Sequence, residues 1–277
     1  MFYSPLQTSL LRLQEVSFAI SNFCIENPQG QEMAIDTGVH KPLLAALLTQ
    51  PSAAAQNNDM IAAIECIVCD CGVAQAAFDS RDVFAALLGI LTRSTSACTH
   101  AEVCRVMVAL LRGRGSACRV WCDVAALSDG IRAVGDVVNA HSSEAAAELL
   151  NSLAVEMDTD VAGALHALGD LSVSVDRIAV AASSHWCRVV LLSAVRGCIV
   201  LAAAFRSSLC SNAVISAAQA AMLGANDDYE CGTVANAVGE LVRGHAANKA
   251  AFSCEATCAG LKRLAEAAVE QITVQVY

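Results

Sequence analysis

Apolar residues recur along this chain with a period of 43 to 44 residues. Six anchor positions mark the register: Ile20, Ile64, Met107, Leu150, Ala194 and Val238. The positions four before, three after and four after each anchor are apolar, cysteine or glycine, which is the spacing of one face of an α-helix. One unit of this length cannot bury its own stripe, so stacked units that share a continuous core are predicted.

The composition favours helices within each unit. Hydrophobic residues make up 56% of the 277 residues, aromatic residues only 4%, and there are four prolines. In the first unit Asn27-Pro28 is typical of a helix start, and Gly38 of a left-handed helix end. A second short helix is predicted from Pro42 to Leu48, with a break at residues 50–52. The prediction is an all-α solenoid of about six repeats over residues 1–277, with residues 1–14 as a cap or a truncated repeat.

Charge and hydropathy exclude several classes of partner. The longest apolar stretch, Val189 to Phe205, carries Arg196 near its centre, which predicts a buried helix pair and no membrane insertion. The net charge is −10 without a Lys/Arg cluster, so nucleic acid is not an expected partner. An acidic chain fits a basic peptide or protein, or is acidic only for solubility. Fourteen cysteines without a secretion signal indicate reduced thiols in the cytoplasm, with the nucleus as the alternative.

Motifs of catalysis are absent from the sequence, so no enzyme activity and no cofactor are predicted. The sharpest metal-like cluster is Cys66-x2-Cys69-x-Cys71, but a zinc site needs a fourth ligand. The favoured interpretation is that cysteine serves as a small apolar residue, as Cys24 and Cys198 do in one core column. A metal-binding or redox-responsive protein is kept as an alternative function.

The two tryptophans are candidates for the core or for the groove. Trp121 shares a column with Phe78 and Phe252, so core packing is predicted. Trp186 starts a long helix; burial is the favoured interpretation, and a role as an anchor for a bound partner is the alternative.

The segment from Phe18-Ala-Ile-Ser-Asn22 to Asn27-Pro28 resembles the third helix of an armadillo repeat and its exit. Residues 31–44 resemble the two helices that follow. The resemblance implies a right-handed superhelix of three-helix repeats, whose third helices line a concave groove for extended peptides or partner proteins. Import adaptors of this family carry tryptophan and asparagine four residues apart on that helix. Only Phe18 with Asn22 approaches this pattern, so the resemblance implies a general protein-binding scaffold.

On this register, the residues just off the buried stripe are predicted to line the groove. They are Phe18, Asn22, Glu26, Asp70, Glu156, Asn236 and Glu240. Four of the seven are acidic, which favours a basic or amide-bonding extended segment, although a solvated helix face explains them equally well. A regulator of a small GTPase or chaperone fits the same features, and the apolar N-terminal end is expected to contact a partner or a second copy.

Overall fold

The computed structural model describes residues 5–49, 58–112, 124–139, 141–157, 162–163, 165 and 169–276. Of residues 5–12, 124–128, 156 and 268–276 it describes the backbone alone. These ranges contain sixteen helices and no strand, which confirms the all-α class. The chain divides into two compact units, residues 1–121 and residues 122–277.

Unit 1 (residues 1–121) contains seven described helices, α1 to α7. They are α1 Pro5–Cys24, α2 Pro28–Asp36, α3 His40–Thr49, α4 Asn58–Val68, α5 Gly72–Phe78, α6 Arg81–Arg93 and α7 Ala97–Leu111. The third helices of successive repeats, α1, α4 and α7, pack side by side in one layer. The shorter helices pair in the same order, α2 with α5 and α3 with α6. This stacking follows from apolar stripes that single repeats cannot bury.

Unit 2 (residues 122–277) contains nine described helices, α8 to α16. They are α8 Val124–Val137, α9 Ser143–Glu156, α10 Asp170–Ala181, α11 His185–Leu201, α12 Phe205–Ser208, α13 Asn212–Gly224, α14 Asp228–Val242, α15 Ala246–Phe252 and α16 Glu255–Val276. The third helices α9, α11 and α14 form one layer, and the second helices α8, α10, α13 and α16 form another. The core lies between these layers.

Every anchor position lies on one of the six third helices. Ile64, Met107, Leu150, Ala194 and Val238 are buried, as predicted. The first third helix, α1, departs from this pattern. Its anchor Ile20 is half-buried, and its neighbours at −4 and +3 are exposed.

The helix ends of the first repeat follow the sequence signals. The Asn27 side chain accepts a hydrogen bond from the Gly30 N–H, and Pro28 occupies the first turn of α2, where its missing N–H costs nothing. Gly38 has a φ of 77° and separates α2 from α3. The second short helix extends beyond the predicted Pro42 to Leu48 range by one to two residues at each end. The predicted break at 50–52 lies outside the described residues.

Side-chain amides join successive repeats at matching positions. Gln31 donates through Nε2 to the carbonyl oxygens of Cys66 (2.7 Å), on the next third helix, and of Cys69 (2.8 Å), directly after that helix. Gln75, 44 residues later, donates to the Ala109 carbonyl oxygen at 2.8 Å. Cys66 and Ala109 are both two residues past their anchors. The repeat therefore preserves a hydrogen bond as well as a hydrophobic column.

In the described part of the chain, no helix is both long and apolar enough to cross a membrane. The apolar stretch Val189 to Phe205 forms most of α11 and the start of α12, and its apolar residues are largely buried. Arg196 is exposed, as a charged residue on a helix with one solvated face is expected to be.

Candidate functional site

In unit 1, four of the predicted groove residues lie exposed on or directly after third helices. Phe18 and Asn22 are one turn apart on α1, and the Phe18 side chain is 62% exposed. The Asn22 Nδ2 atom donates to the Phe18 carbonyl oxygen at 2.9 Å. Glu26 and Asp70 are exposed in the turns that follow α1 and α4. These two helices pack against each other, so the four side chains belong to one layer.

The turn after the third helix places a left-handed residue six positions past the anchor. Glu26 has a φ of 51°, Asp70 of 57° and Gly244 of 66°. Glycine adopts this conformation without a Cβ penalty, whereas other residues are strained there, asparagine and aspartate less than most. Two acidic side chains therefore occupy positions at which backbone energetics favours glycine. The sequence pattern alone did not predict this feature.

A charge cluster joins α4 to α7 within the same layer. The Arg105 guanidinium lies 3.4 Å from the Glu65 carboxylate and also contacts Glu102. Burial and the nearby Glu102 carboxyl outweigh the opposing effect of Arg105, and together they raise the pKa of Glu65 to about 7. Glu65 therefore binds a proton more readily than an exposed glutamate does.

In unit 2 the predicted groove residues differ in their surroundings. Asn236 is exposed on α14. Glu240 is engaged by two guanidiniums, with Arg243 at 2.9 Å and Arg206 at 3.5 Å, and its own carbonyl oxygen accepts from Arg206 Nε at 2.7 Å. The Glu240 carboxylate thus stabilises the junction between α12 and α14. The side chain of Glu156 lies outside the described residues.

An exposed aromatic pair lies on the third-helix layer of unit 2. Trp186 at the start of α11 is 41% exposed, so the prediction of core burial was wrong. Its ring lies 6.2 Å from the ring of Tyr229 at the start of α14, and Tyr229 is 60% exposed. His185 and Glu230 lie beside them with 3.3 Å between Nε2 and Oε2. Trp121 lies outside the described residues.

The described cysteines range from buried to exposed. Burial raises the pKa of Cys24 to about 11 and the pKa values of Cys104 and Cys198 to about 12, so these thiols behave as small apolar side chains, as predicted for Cys24 and Cys198. Cys254, fully exposed before α16, has a lowered pKa because it hydrogen-bonds to the Thr257 hydroxyl and backbone.

Among the described residues, no group of three or more Cys, His, Asp or Glu side chains is arranged to hold a metal ion. Cys66, Cys69 and Cys71 therefore do not form a ligand set, although they are close in sequence. Their positions follow from the end of α4 and the turn after it: Cys66 lies within the helix, and Cys71 precedes α5.

Comparison with solved structures gives matches over most of the chain. A designed armadillo repeat protein matches with a TM-score of 0.65 and 13% identity, covering 82% of this chain and 92% of the other. A designed armadillo repeat protein in complex with the peptide (KR)4 matches with a TM-score of 0.62 and 14% identity, covering 85% and 92%. The fold is that of armadillo repeats. An engineered protein matches with a TM-score of 0.67 and 15% identity, covering 83% of this chain and 92% of the other.

No protein-family model and no curated protein matches the sequence. At 13–15% identity the matches show the armadillo-like fold alone. The hand of the superhelix and the extent of a single solenoid over residues 1–277 stay predictions.

Proposed function

We propose that this chain is a non-enzymatic scaffold that binds an extended protein segment along the exposed faces of its third helices. The observation that carries the proposal is the exposed row of Phe18, Asn22 and Glu26 on and after α1, with Asp70 after the adjacent helix. Exposed aromatic and amide side chains on a rigid helical layer are suited to peptide recognition. The armadillo-like fold supports the same use.

Asn22 is proposed to bond the backbone of the bound segment. A side-chain amide has two N–H donors and a carbonyl acceptor, and the bond to the Phe18 carbonyl uses one N–H. That bond also holds the amide in one orientation along the helix. The remaining donor and the acceptor match the N–H and C=O of an extended peptide.

A basic segment is the proposed ligand. Glu26 and Asp70 are exposed carboxylates in the layer of unit 1, and the chain carries a net charge of −10. In unit 2, the exposed rings of Trp186 and Tyr229 can receive a guanidinium or ammonium group on their faces. One of the structures with the same fold holds a Lys-Arg peptide, which supports this choice.

The experiment is a fluorescence-anisotropy titration with a labelled eight-residue Lys-Arg peptide, with a Glu-Asp peptide of equal length as the control. We expect the basic peptide to bind and its affinity to fall between about 50 mM and about 500 mM salt, because exposed charges are screened. A salt-insensitive affinity, or equal binding of both peptides, would contradict the electrostatic part of the proposal.

Two variants locate the contact. Asn22→Ala removes the amide, and Asp70→Asn removes a charge while keeping a residue that tolerates the left-handed conformation. Each should weaken binding several-fold. Asp82→Asn, an exposed carboxylate at the start of α6, is the matched control and should bind as the unmodified chain does. If all three behave alike, the layer of unit 1 is not the binding surface.

A further inference from the structure

Each third helix that has neighbours on both sides presents two packing faces. The rear face consists of the positions −4, 0 and +3 from the anchor, and the front face of the positions −3, +1 and +4. In unit 2, a Cβ added to Gly197, on the rear of α11, would lie 3.1 Å from the Ala154 Cβ, on the front of α9. The front of one third helix therefore packs on the rear of the next.

The rear face of α1 is open. Val16 and Phe23 are 53% and 48% exposed, and Ile20 is half-buried. The same three positions of α4, which are Met60, Ile64 and Ile67, are fully buried, and α1 packs against that helix.

An apolar groove of about 350 Å³ runs along this rear face of α1. Met33, Ala34, Thr37 and Val39, from α2 and the turn after it, complete its lining. None of the described residues that line it is charged. The groove is thus an exposed copy, in register, of a surface that the next repeat buries.

The front face of α14 is the only open front face among the described third helices. Ala235 is exposed, and Gly239 and Val242 are half-buried. The corresponding front positions of α11, which are Leu191, Val195 and Cys198, are buried. A Cβ added to Gly232 or Gly239 would meet nothing within 4 Å in the described structure, so this side of α14 is smooth, uncharged and unfilled.

We propose that the rear groove of α1 receives the front face of α14 from a second copy of this chain, in the same way that the rear of α11 receives the front of α9. The packing of α9 on α11 supports a second copy as the occupant. The rear face of α1 supplies large apolar side chains, and the front face of α14 supplies small residues against which they can pack. By the register seen at Ala154 and Gly197, Val242 of one copy lies against Phe23 of the other. The contact is head-to-tail, so each copy uses both surfaces once.

Salt separates this contact from peptide binding. The two facing surfaces carry no charge, while each copy carries a net charge of −10, so repulsion between whole chains opposes self-association and salt screens it. Self-association should therefore strengthen with salt, whereas binding of a basic peptide weakens. A chain that does not self-associate can still bind the basic peptide, and a chain that does not bind the peptide can still self-associate. The two proposals therefore fail independently.

Sedimentation velocity over a concentration series tests the contact. We expect the mass to rise above the 28.7 kDa of one chain. Gly239→Arg should hold the chain at that mass; a Cβ at this position meets nothing within 4 Å in the described structure, and arginine is a better helix former than glycine. Val16→Glu should also keep the chain monomeric, because it places a charge on the rear face of α1. Val180→Glu, an equal change at an exposed valine on α10, is the control and should assemble.

Mixing the two blocked variants gives the decisive result. The Val16→Glu chain keeps an intact front on α14, and the Gly239→Arg chain keeps an intact rear on α1. Together they should form a one-to-one pair of twice the monomer mass and nothing larger. A chain that stays monomeric at every concentration and salt overturns the proposal. So does assembly that Gly239→Arg leaves unchanged, because the groove would then be covered by something other than α14.

Discussion

In unit 1 a single guanidinium, that of Arg105, lies between two carboxylates, whereas in unit 2 a single carboxylate, that of Glu240, lies between two guanidiniums. The first cluster joins the third helices α4 and α7, and the second joins the short helix α12 to the third helix α14. Their proportions of acidic and basic groups are opposite. In unit 1 the pKa of the second carboxyl, that of Glu65, is raised to about 7, so this group takes up a proton more readily than an exposed glutamate, while in unit 2 the two guanidiniums compensate the single carboxylate.

This difference shows why a count of acidic residues does not describe a binding surface. Glu240 was grouped with the groove acids because of its position, yet its charge is already compensated inside the protein. Glu26 and Asp70 lie in turns and are exposed. The two layers therefore offer different chemistry to a ligand: exposed carboxylates in unit 1, and an aromatic pair, Trp186 with Tyr229, in unit 2.

The first test asks whether the two cores are equivalent beneath their different surfaces. Leu110 and Leu153 occupy the same register position on α7 and α9, and both are buried. Leu110→Ala and Leu153→Ala should each lower the free energy of unfolding by about 2–5 kcal/mol, because truncation leaves a cavity. Urea denaturation measures both. A cost below about 0.5 kcal/mol for either is a surface value and would mean that the register is wrong in that unit.

The second test compares the side-chain amides that form hydrogen bonds between the helices of successive repeats. Gln75 donates to the Ala109 carbonyl oxygen in unit 1, and Asn248 donates to the carbonyl oxygens of Arg206 and Leu241 in unit 2. Replacing either by alanine leaves buried carbonyl groups without that donor, at a cost of about 1–3 kcal/mol. Asn248→Ala should cost more because it removes two bonds. Equal unfolding midpoints for the two variants and the unmodified chain would show that water replaces the amides.

The third test uses the carboxylate excess of unit 1. The pKa of Glu65 is about 7 in the folded chain against an ordinary 4.5. Between these two pH values the folded chain therefore holds a proton that the unfolded chain has lost. The resulting stability is complete below pH 4.5 and disappears as the pH rises through about 7. Unfolding midpoints measured from about pH 4 to about pH 8 should therefore fall for the unmodified chain.

Glu65→Gln should remove that part of the pH dependence, since glutamine does not titrate. The matched variant in the other cluster, Glu240→Gln, should destabilise the chain at neutral pH, because two guanidiniums lose their shared carboxylate. A pH profile that is the same with and without Glu65 would place the titrating group elsewhere.

The smallest expected effect concerns the left-handed turn positions. Asp70→Gly should stabilise unit 1 by about 0.5–1 kcal/mol, because glycine removes the strain at positive φ. Gly244→Asp at the equivalent position of unit 2 should cost a similar amount. Thermal unfolding measures both changes. If Asp70→Gly is neutral or destabilising, the aspartate forms compensating contacts that offset its backbone strain.

Periodic features of the fold could be predicted from the sequence, whereas surface pairings could not. The anchors, the Asn27 cap and the Gly38 turn follow from local spacing and backbone preference, which are visible in one dimension. The exposure of Trp186 and the engagement of Glu240 by Arg206 depend on which helix lies next to which, and at what angle. The sequence predicts Glu26 and Asp70 as groove residues, but only the backbone conformation shows that both have a positive φ.

The amides of Gln31 and Gln75 also have a kinetic consequence. They reach carbonyl groups 34 to 38 residues along the chain, which is less than one repeat. Each such bond closes a loop of modest length, and the entropy of closure grows only slowly with length. A chain tied together by contacts of this range can fold by adding one repeat to the preceding one, so each repeat serves as the template on which its neighbour is ordered.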